Sequence, residues 1–227
     1  MSNKPLPRRT IIIGDVHGCA AELRDLLRAT RASAGDRLIS VGDLLCKGPD
    51  SRGVLEWAMR APNLECVLGN HELRFLNCRR RGVLPDVKPY DLETVRQLDE
   101  LYEPAMRFVS SWPLMIDELD LLVVHAGFDP RRALARQSDV ALTGLRRLKD
   151  TGEPWYERYE DERLVVFGHW ARPEPVVRRN AVGLDTGCVY GGALTALILP
   201  ERRLVSVPAR RVYARKESWP PRTLEAA

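Results

Sequence analysis

The sequence predicts an α/β fold with a mixed sheet, and three observations carry that reading. Short apolar runs rich in Val, Ile and Leu recur along the chain; helical spacing separates the first of them; and run after run ends in a glycine-punctuated turn bearing Asp, Asn or His. Thr10 to Ile13 reads as the first strand, and Ala20 to Thr30, with Leu23, Leu26 and Leu27 on one face, as the helix that follows it. Arg37 to Val41 and Leu64 to Leu68 repeat the strand pattern. Ser51 to Arg60 and His71 to Arg81 repeat the helical one, with Asp50-Ser51 as a helix start and Pro62-Asn63 as a stop. A strand-helix alternation of this kind predicts parallel strands joined by crossover helices.

Beyond residue 90 the alternation is less regular. Tyr90 to Ser111 is expected to be helical and to flank the sheet, burying Leu92, Val95, Leu98, Leu101 and Met106. Met115 to Val124 reads as a hairpin around Asp117-Glu118-Leu119-Asp120, Asp129 to Asp161 as a long helical and loop insertion, and Leu164 to Phe167 as another strand. Ala181 to Val207, with turns at Gly187, Gly191-Gly192 and Pro200-Glu201-Arg202, is expected to finish the fold antiparallel. Lys216 to Ala227, with two prolines and few apolar residues, is expected to be a loosely ordered tail.

The 227 residues suffice for one sizeable core, so the expectation is a single domain over residues 1–227 with its core between about residues 10 and 208. The basic N-terminus leads into only three isoleucines before Gly14, too short an apolar run for a signal peptide or a membrane span, and a cytoplasmic protein with no membrane partner is expected. Five cysteines without metal-binding spacing point to reduced thiols. A formal charge of +4 is modest and accompanies no recognition motif, so a solvated basic surface is expected and no dedicated nucleic-acid partner.

The chemistry lies in the turns. Asp15 and His17 stand in Gly14-Asp15-Val16-His17-Gly18, Asp43 follows Gly42, Asn70 stands in Gly69-Asn70-His71-Glu72, His125 opens His125-Ala126-Gly127, and His169 follows Gly168. All four histidines of the chain fall in these turns, which would place them on the strand-end rim where open α/β sheets bind ligands. Carboxylates, imidazoles and one amide carbonyl suit divalent Mn, Fe, Co, Zn or Mg. Two such ions roughly 3.5 to 4 Å apart would neutralise phosphoryl oxygens and lower the pKa of water. The expected ligand assignment is Asp15 and His17 on one ion, Asp43 bridging, and Asn70, His125 and His169 on the other. His71 is left free to act as general acid toward a leaving oxygen.

These turns, together with Gly42-Asp43-Leu44-Leu45-Cys46-Lys47-Gly48 and Gly183-Leu184-Asp185-Thr186-Gly187, resemble in order the phosphoprotein-phosphatase branch of calcineurin-like metallophosphoesterases, over residues 11 to 199. The resemblance implies a four-layer α/β/β/α metallophosphoesterase sandwich, a dinuclear centre usually active with manganese, and direct attack by metal-bound hydroxide. It departs at one place: typical protein phosphatases carry Asp and Arg where this chain has Cys46 and Lys47. That segment is more similar to ApaH-like phosphatases and symmetrical diadenosine tetraphosphatases, which lack the same Asp. The resemblance therefore implies cleavage of a phosphoanhydride in a nucleoside polyphosphate, foremost diadenosine tetraphosphate to two ADP, with a phosphoprotein or inorganic polyphosphate as alternative substrates. It also implies phosphate-gripping roles for Lys47 and for an arginine between His125 and His169, Arg146 or its neighbour Arg147. Asp185 is expected to support a ligand histidine from behind. Phe128, Trp170 and Tyr190 are either core residues or platforms for a nucleobase.

Overall fold

The computed structural model describes residues 9–217 and 219. The first βαβαβ run folds as its spacing predicts. Strands β1 (Thr10–Ile13), β2 (Arg37–Ser40) and β3 (Leu64–Cys66) pair in parallel, with Ile11 opposite Leu38 and Leu38 opposite Leu64, and helices α1 (Ala20–Ala29) and α2 (Ser51–Arg60) make the crossovers. Asp50 caps α2 by accepting a hydrogen bond from Gly53 N at 2.7 Å. Helices α3 (Asn70–Arg80), α4 (Pro89–Leu98) and α5 (Tyr102–Val109) complete the layer on that side.

A second set of strands follows: β4 (Met115–Asp117), β5 (Leu121–Val124), β6 (Leu164–Phe167), β7 (Val176–Val177) and β8 (Ala181–Gly183). The chain then returns through β9 (Ala193–Leu199) and β10 (Arg203–Pro208) to the first sheet, where β9 pairs antiparallel with β1. The two five-stranded sheets have the orders β10-β9-β1-β2-β3 and β4-β5-β6-β8-β7.

Side-chain alternation sorts the core into three apolar layers. Ile11 and Ile13 face the helices with Leu23, Leu26, Val54, Phe75 and Met106, whereas Ile12 points the other way. It joins Ile39, Val41, Val123, Val166 and Val182 in a layer contributed by both sheets. Leu122, Val124, Val165 and Phe167 face outward again, against Phe128, Leu142, Leu148 and the fully buried Trp155. The sequence of layers is helices, sheet, sheet, and a cover of short helix and loop.

Four expectations need correction. The stretch from Tyr90 to Ser111 is broken at Asp99, whose φ of 47° separates α4 from α5, and α4 itself turns Asp91, Thr94 and Leu98 inward, which leaves Leu92 41% exposed. The insertion after Asp129 contains only one short α-helix, α6 (Asp139–Gly144), and is held by its apolar contacts with the second sheet. Strand β8 is not part of an antiparallel finish: it runs parallel to β6, and only β9 and β10 form the closing hairpin. The expected loose tail lies outside the described residues at 218 and 220–227. Its first part is placed against the fold, with Trp219 and Tyr190 ring centroids 5.7 Å apart and Lys216 beside the site described below.

The five cysteines are free thiols. Among the described residues no helix is long and apolar enough to cross a membrane.

Candidate active site

Each turn singled out in the sequence leaves the same rim of its sheet. Asp15 follows β1, Asp43 follows β2, Asn70 opens α3 after β3, His125 follows β5, His169 follows β6 and Asp185 follows β8. The first three come from one sheet and the last three from the other, so the site straddles the interface between them. His17, Asp43 and His169 have φ values of 48°, 52° and 66°, as do Cys46 and Lys47 at 76° and 68°. Left-handed backbone costs a residue with a Cβ about 1 to 3 kcal/mol, and such strain gathers where a side chain has to be aimed. Two glycines are required by close approach: a Cβ at Gly168 would overlap the Asp15 carboxylate, and one at Gly69 would overlap that of Asp43.

Asp43 is the hub. Its Oδ1 accepts a hydrogen bond from His71 N at 3.1 Å, and its Oδ2 lies 3.5 Å from His17 Nε2, 3.5 Å from His125 Nε2 and 3.8 Å from His71 Nε2. Asn70 Oδ1 is 3.1 Å from His125 Nε2 and 2.9 Å from His169 Nδ1. Asp15 accepts from His169 N at 3.1 and 3.2 Å, which ties the first sheet to the second. The loop bearing Asp43 is itself held by Glu72, whose fully buried carboxylate accepts from the backbone N–H of Asp43, Leu44, Leu45 and Gly69 at 2.9 to 3.3 Å.

The histidines are aimed from behind by backbone. His17 Nδ1 donates to Leu45 O at 3.2 Å and His125 Nδ1 to Val41 O at 2.8 Å, while His169 is hydrogen-bonded to the Gly144 backbone. Burial pulls His125 down to about 4 and His169 to about 2, and it lowers His17 as well, so all three rings are neutral at pH 7. With Nδ1 committed as a donor, Nε2 of His17 and His125 presents a lone pair, that of His17 beside Lys47 Nζ at 2.9 Å and that of His125 beside Asn70 Oδ1 at 3.1 Å, each 3.5 Å from Asp43 Oδ2. Burial and neighbouring carboxylates push Asp15 well above its ordinary value, and burial pushes Asp43 up to about 6. Buried lone pairs and carboxylate oxygens turned toward one another suit a cation, and Asp43 is the shared member of two groupings, one with His125 and His169 and one with His17, beside which His71 also stands.

The cavity over this cluster has a volume of about 90 Å³, room for roughly three waters at liquid density. Lys47, Arg146, Tyr190 and Lys216 are among the residues that line it. Lys47 Nζ sits 2.9 Å from His17 Nε2 and 5.4 Å from the Tyr190 ring centroid. Arg146 reaches the His169 carbonyl at 3.3 Å, whereas Arg147 turns away, bonding Gly152 O at 2.7 Å and packing 5.0 Å from the Trp170 ring. The cavity thus takes Arg146 and not Arg147.

Other expected residues divide in the same way. Phe128 is core, packed 4.7 Å from Trp155; Trp170 packs against the guanidinium groups of Arg147 and Arg172; Tyr190 lines the cavity. Asp185 also lines it, but its carboxylate accepts from Gly187 N at 3.1 Å, and backbone groups do the histidine-orienting work expected of it. Among the surface arginines, Arg79 pairs with Glu103, Arg131 with Asp129 and Asp150, and Arg178 with Glu157. Sequence reasoning missed Lys216, Glu72 as the clamp of the Asp43 loop, and Arg74, whose Nη2 lies 3.1 Å from His71 Nδ1. No local signal marks Lys216 or Arg74; Glu72 was legible only as a favourable charge at a helix start.

Comparisons with known proteins bear on the fold and the family. The sequence profile of the calcineurin-like phosphoesterases matches residues 8–201. An asymmetrical bis(5'-nucleosyl)-tetraphosphatase of Halalkalibacterium halodurans is 31% identical, covering 88% of this chain and 94% of its own. A symmetrical bis(5'-nucleosyl)-tetraphosphatase of Bordetella pertussis is also 31% identical, covering 88% and 95%. A crystal structure of a protein provisionally named a diadenosine tetraphosphatase superposes with a TM-score of 0.77 at 34% identity, over 92% of this chain and 96% of its own. The chain belongs to the calcineurin-like phosphoesterase family.

Proposed function

We propose that the protein hydrolyses a phosphoanhydride bond in nucleoside polyphosphates, foremost diadenosine tetraphosphate to two ADP, with two divalent metal ions, manganese first among them. The observation that carries this reading is the convergence on Asp43 Oδ2 of the lone-pair nitrogens of His17 and His125, from opposite sheets and at 3.5 Å each. In this reading Asp15 and His17 hold one ion, Asn70, His125 and His169 the other, and Asp43 both. Bound there, divalent ions neutralise phosphoryl charge and lower the pKa of water.

The chain's own residues do the rest. Lys47 and Arg146 hold the non-bridging oxygens of the phosphoryl group, Lys47 as a point charge and Arg146 as a fork. Lys216 adds a third cation from the C-terminal segment. His71, at the second position of α3, presents Nε2 to the leaving oxygen. A cavity of about 90 Å³ takes a phosphoryl group and leaves a nucleoside outside it, where Tyr190 offers a ring face.

Relatives named for symmetrical and for asymmetrical cleavage are equally similar, so the bond that is cut is the point to test. Diadenosine tetraphosphate incubated with the manganese-loaded protein is expected to yield ADP alone, read by chromatography of the products. AMP and ATP in equal amounts would overturn symmetrical cleavage, and no product would overturn the substrate class.

A further inference from the structure

His71 differs from the other histidines of the site in what stands behind it. His17, His125 and His169 each lean on a backbone group, but His71 turns Nδ1 to Arg74 Nη2 at 3.1 Å. A guanidinium has only donors, so Nδ1 accepts and the ring proton resides on Nε2, the nitrogen that faces Asp43 Oδ2 at 3.8 Å. Nε2 therefore offers an N–H, not a lone pair, which makes His71 unfit as a metal ligand. Arg74 is fixed in turn. Its Nε lies 3.1 Å and its Nη2 2.5 Å from the two carboxylate oxygens of Asp91, a fully buried residue that also accepts from Lys88 N at 3.0 Å. Tyr90 closes the other side, its ring centroid 5.5 Å from that of His71 and 5.9 Å from the Arg74 guanidinium.

We propose that Arg74, clamped by Asp91, is a positioning residue that holds His71 as an Nε2–H hydrogen-bond donor and so selects leaving groups that need no proton. The inference rests on the reading that His71 serves the leaving oxygen. In hydrolysis a water oxygen forms the new P–O bond and loses a proton to solvent, while the bridging P–O bond breaks and its electron pair stays on the leaving oxygen. When the leaving group is itself a phosphate, with a second ionisation near about 6, that oxygen is stable as an anion at pH 7 and a hydrogen bond suffices. A neutral imidazole gives such a bond well. A serine or threonine alkoxide instead needs a whole proton, and a ring whose Nδ1 is bound by a cation yields one only by becoming imidazolate.

Nitrogen-15 histidine spectra of the magnesium-loaded protein, with His71 assigned from His71→Asn, test the placement directly. The wild type is expected to show a bare Nδ1 and a protonated Nε2 at pH 7. A proton on Nδ1 overturns the proposal. Arg74→Met is expected to leave the two nitrogens exchanging and to lower kcat on diadenosine tetraphosphate about tenfold with KM within twofold. An unchanged spectrum, or a change in KM alone, overturns it. For selectivity, the wild type should turn over diadenosine tetraphosphate at least about 100-fold faster than a phosphoserine peptide, and comparable rates sink the leaving-group argument. His71→Asn separates the two layers of inference: if it keeps wild-type kcat, the role of His71 fails, whereas loss of kcat with a wild-type spectrum in Arg74→Met condemns only Arg74.

Discussion

Glu72→Gln changes one oxygen to an NH2 and removes no volume, yet it is expected to loosen the whole Asp43 loop. Oε2 of Glu72 accepts from Asp43 N and Gly69 N at 2.9 and 3.1 Å, and Oε1 accepts from Leu44 N and Leu45 N at 2.9 and 3.3 Å. Glutamine has one acceptor oxygen, so either orientation of the amide sets its NH2 against two backbone N–H groups. A buried donor left without a partner costs about 1 to 3 kcal/mol, and two of them cost about 4 kcal/mol at the middle of that range. For a chain of this size each kcal/mol moves the melting temperature by about 2 to 4 °C, so a fall of roughly 8 to 16 °C is expected. Thermal unfolding followed by circular dichroism measures it, with Glu93→Gln as the control, since Glu93 is half exposed and pairs with Arg96 on the surface. A melting temperature within about 2 °C of wild type would show that the four-donor clamp contributes little and that this count of hydrogen bonds misjudges the loop.

Three further outcomes are expected. Asp43→Asn should abolish turnover while the melting temperature stays within a few degrees, because the amide oxygen still accepts from His71 N; wild-type activity would refute the bridging role. Gly168→Ala should lower kcat/KM about 100-fold, since its Cβ displaces the Asp15 carboxylate, and elemental analysis should show metal content falling with it; retention of both would contradict the close approach. Lys216→Ala should raise KM about tenfold with kcat little changed, as for a cation that grips substrate and transition state alike. A loss confined to kcat would instead give Lys216 a role in the chemical step.

The strand ends were legible because two local signals coincide there: an apolar run and a glycine beside a rare polar residue. Asp15, His17, Asp43, Asn70, His125 and His169 all carry both signals and all meet at the rim. The parallel order of β1, β2 and β3 was legible for a related reason, since helices of suitable length separate the runs. Strand β8 was not, because three apolar residues say nothing of which sheet they will join. Arg74, Asp91 and Lys216 belong to the same class of blind spot. Arg74 lies one helical turn from His71 but is fixed by Asp91 from another helix, and Lys216 reaches the cavity from the far end of the chain; as letters they are a helix arginine, a helix aspartate and a lysine in a polar tail. Leu92 failed for a different reason: α4 turns Asp91 and Thr94 inward with Leu98, a face that the spacing of apolar residues alone does not reveal.

The apolar layer between the sheets has a bearing on catalysis as well as on stability. Asp15, Asp43 and Asn70 ride on one sheet and His125, His169 and Asp185 on the other, so the separation of these two jaws is gauged by Ile12, Ile39, Val41, Val123, Val166 and Val182, none of which offers a polar side chain to the site. A packed interior does not deform smoothly; it keeps its thickness until a side chain changes size. The methyl groups of that layer are in effect the shims of the instrument, and an engineer wishing to retune the site for a different ion or a bulkier phosphoryl group would begin with them before touching any ligand.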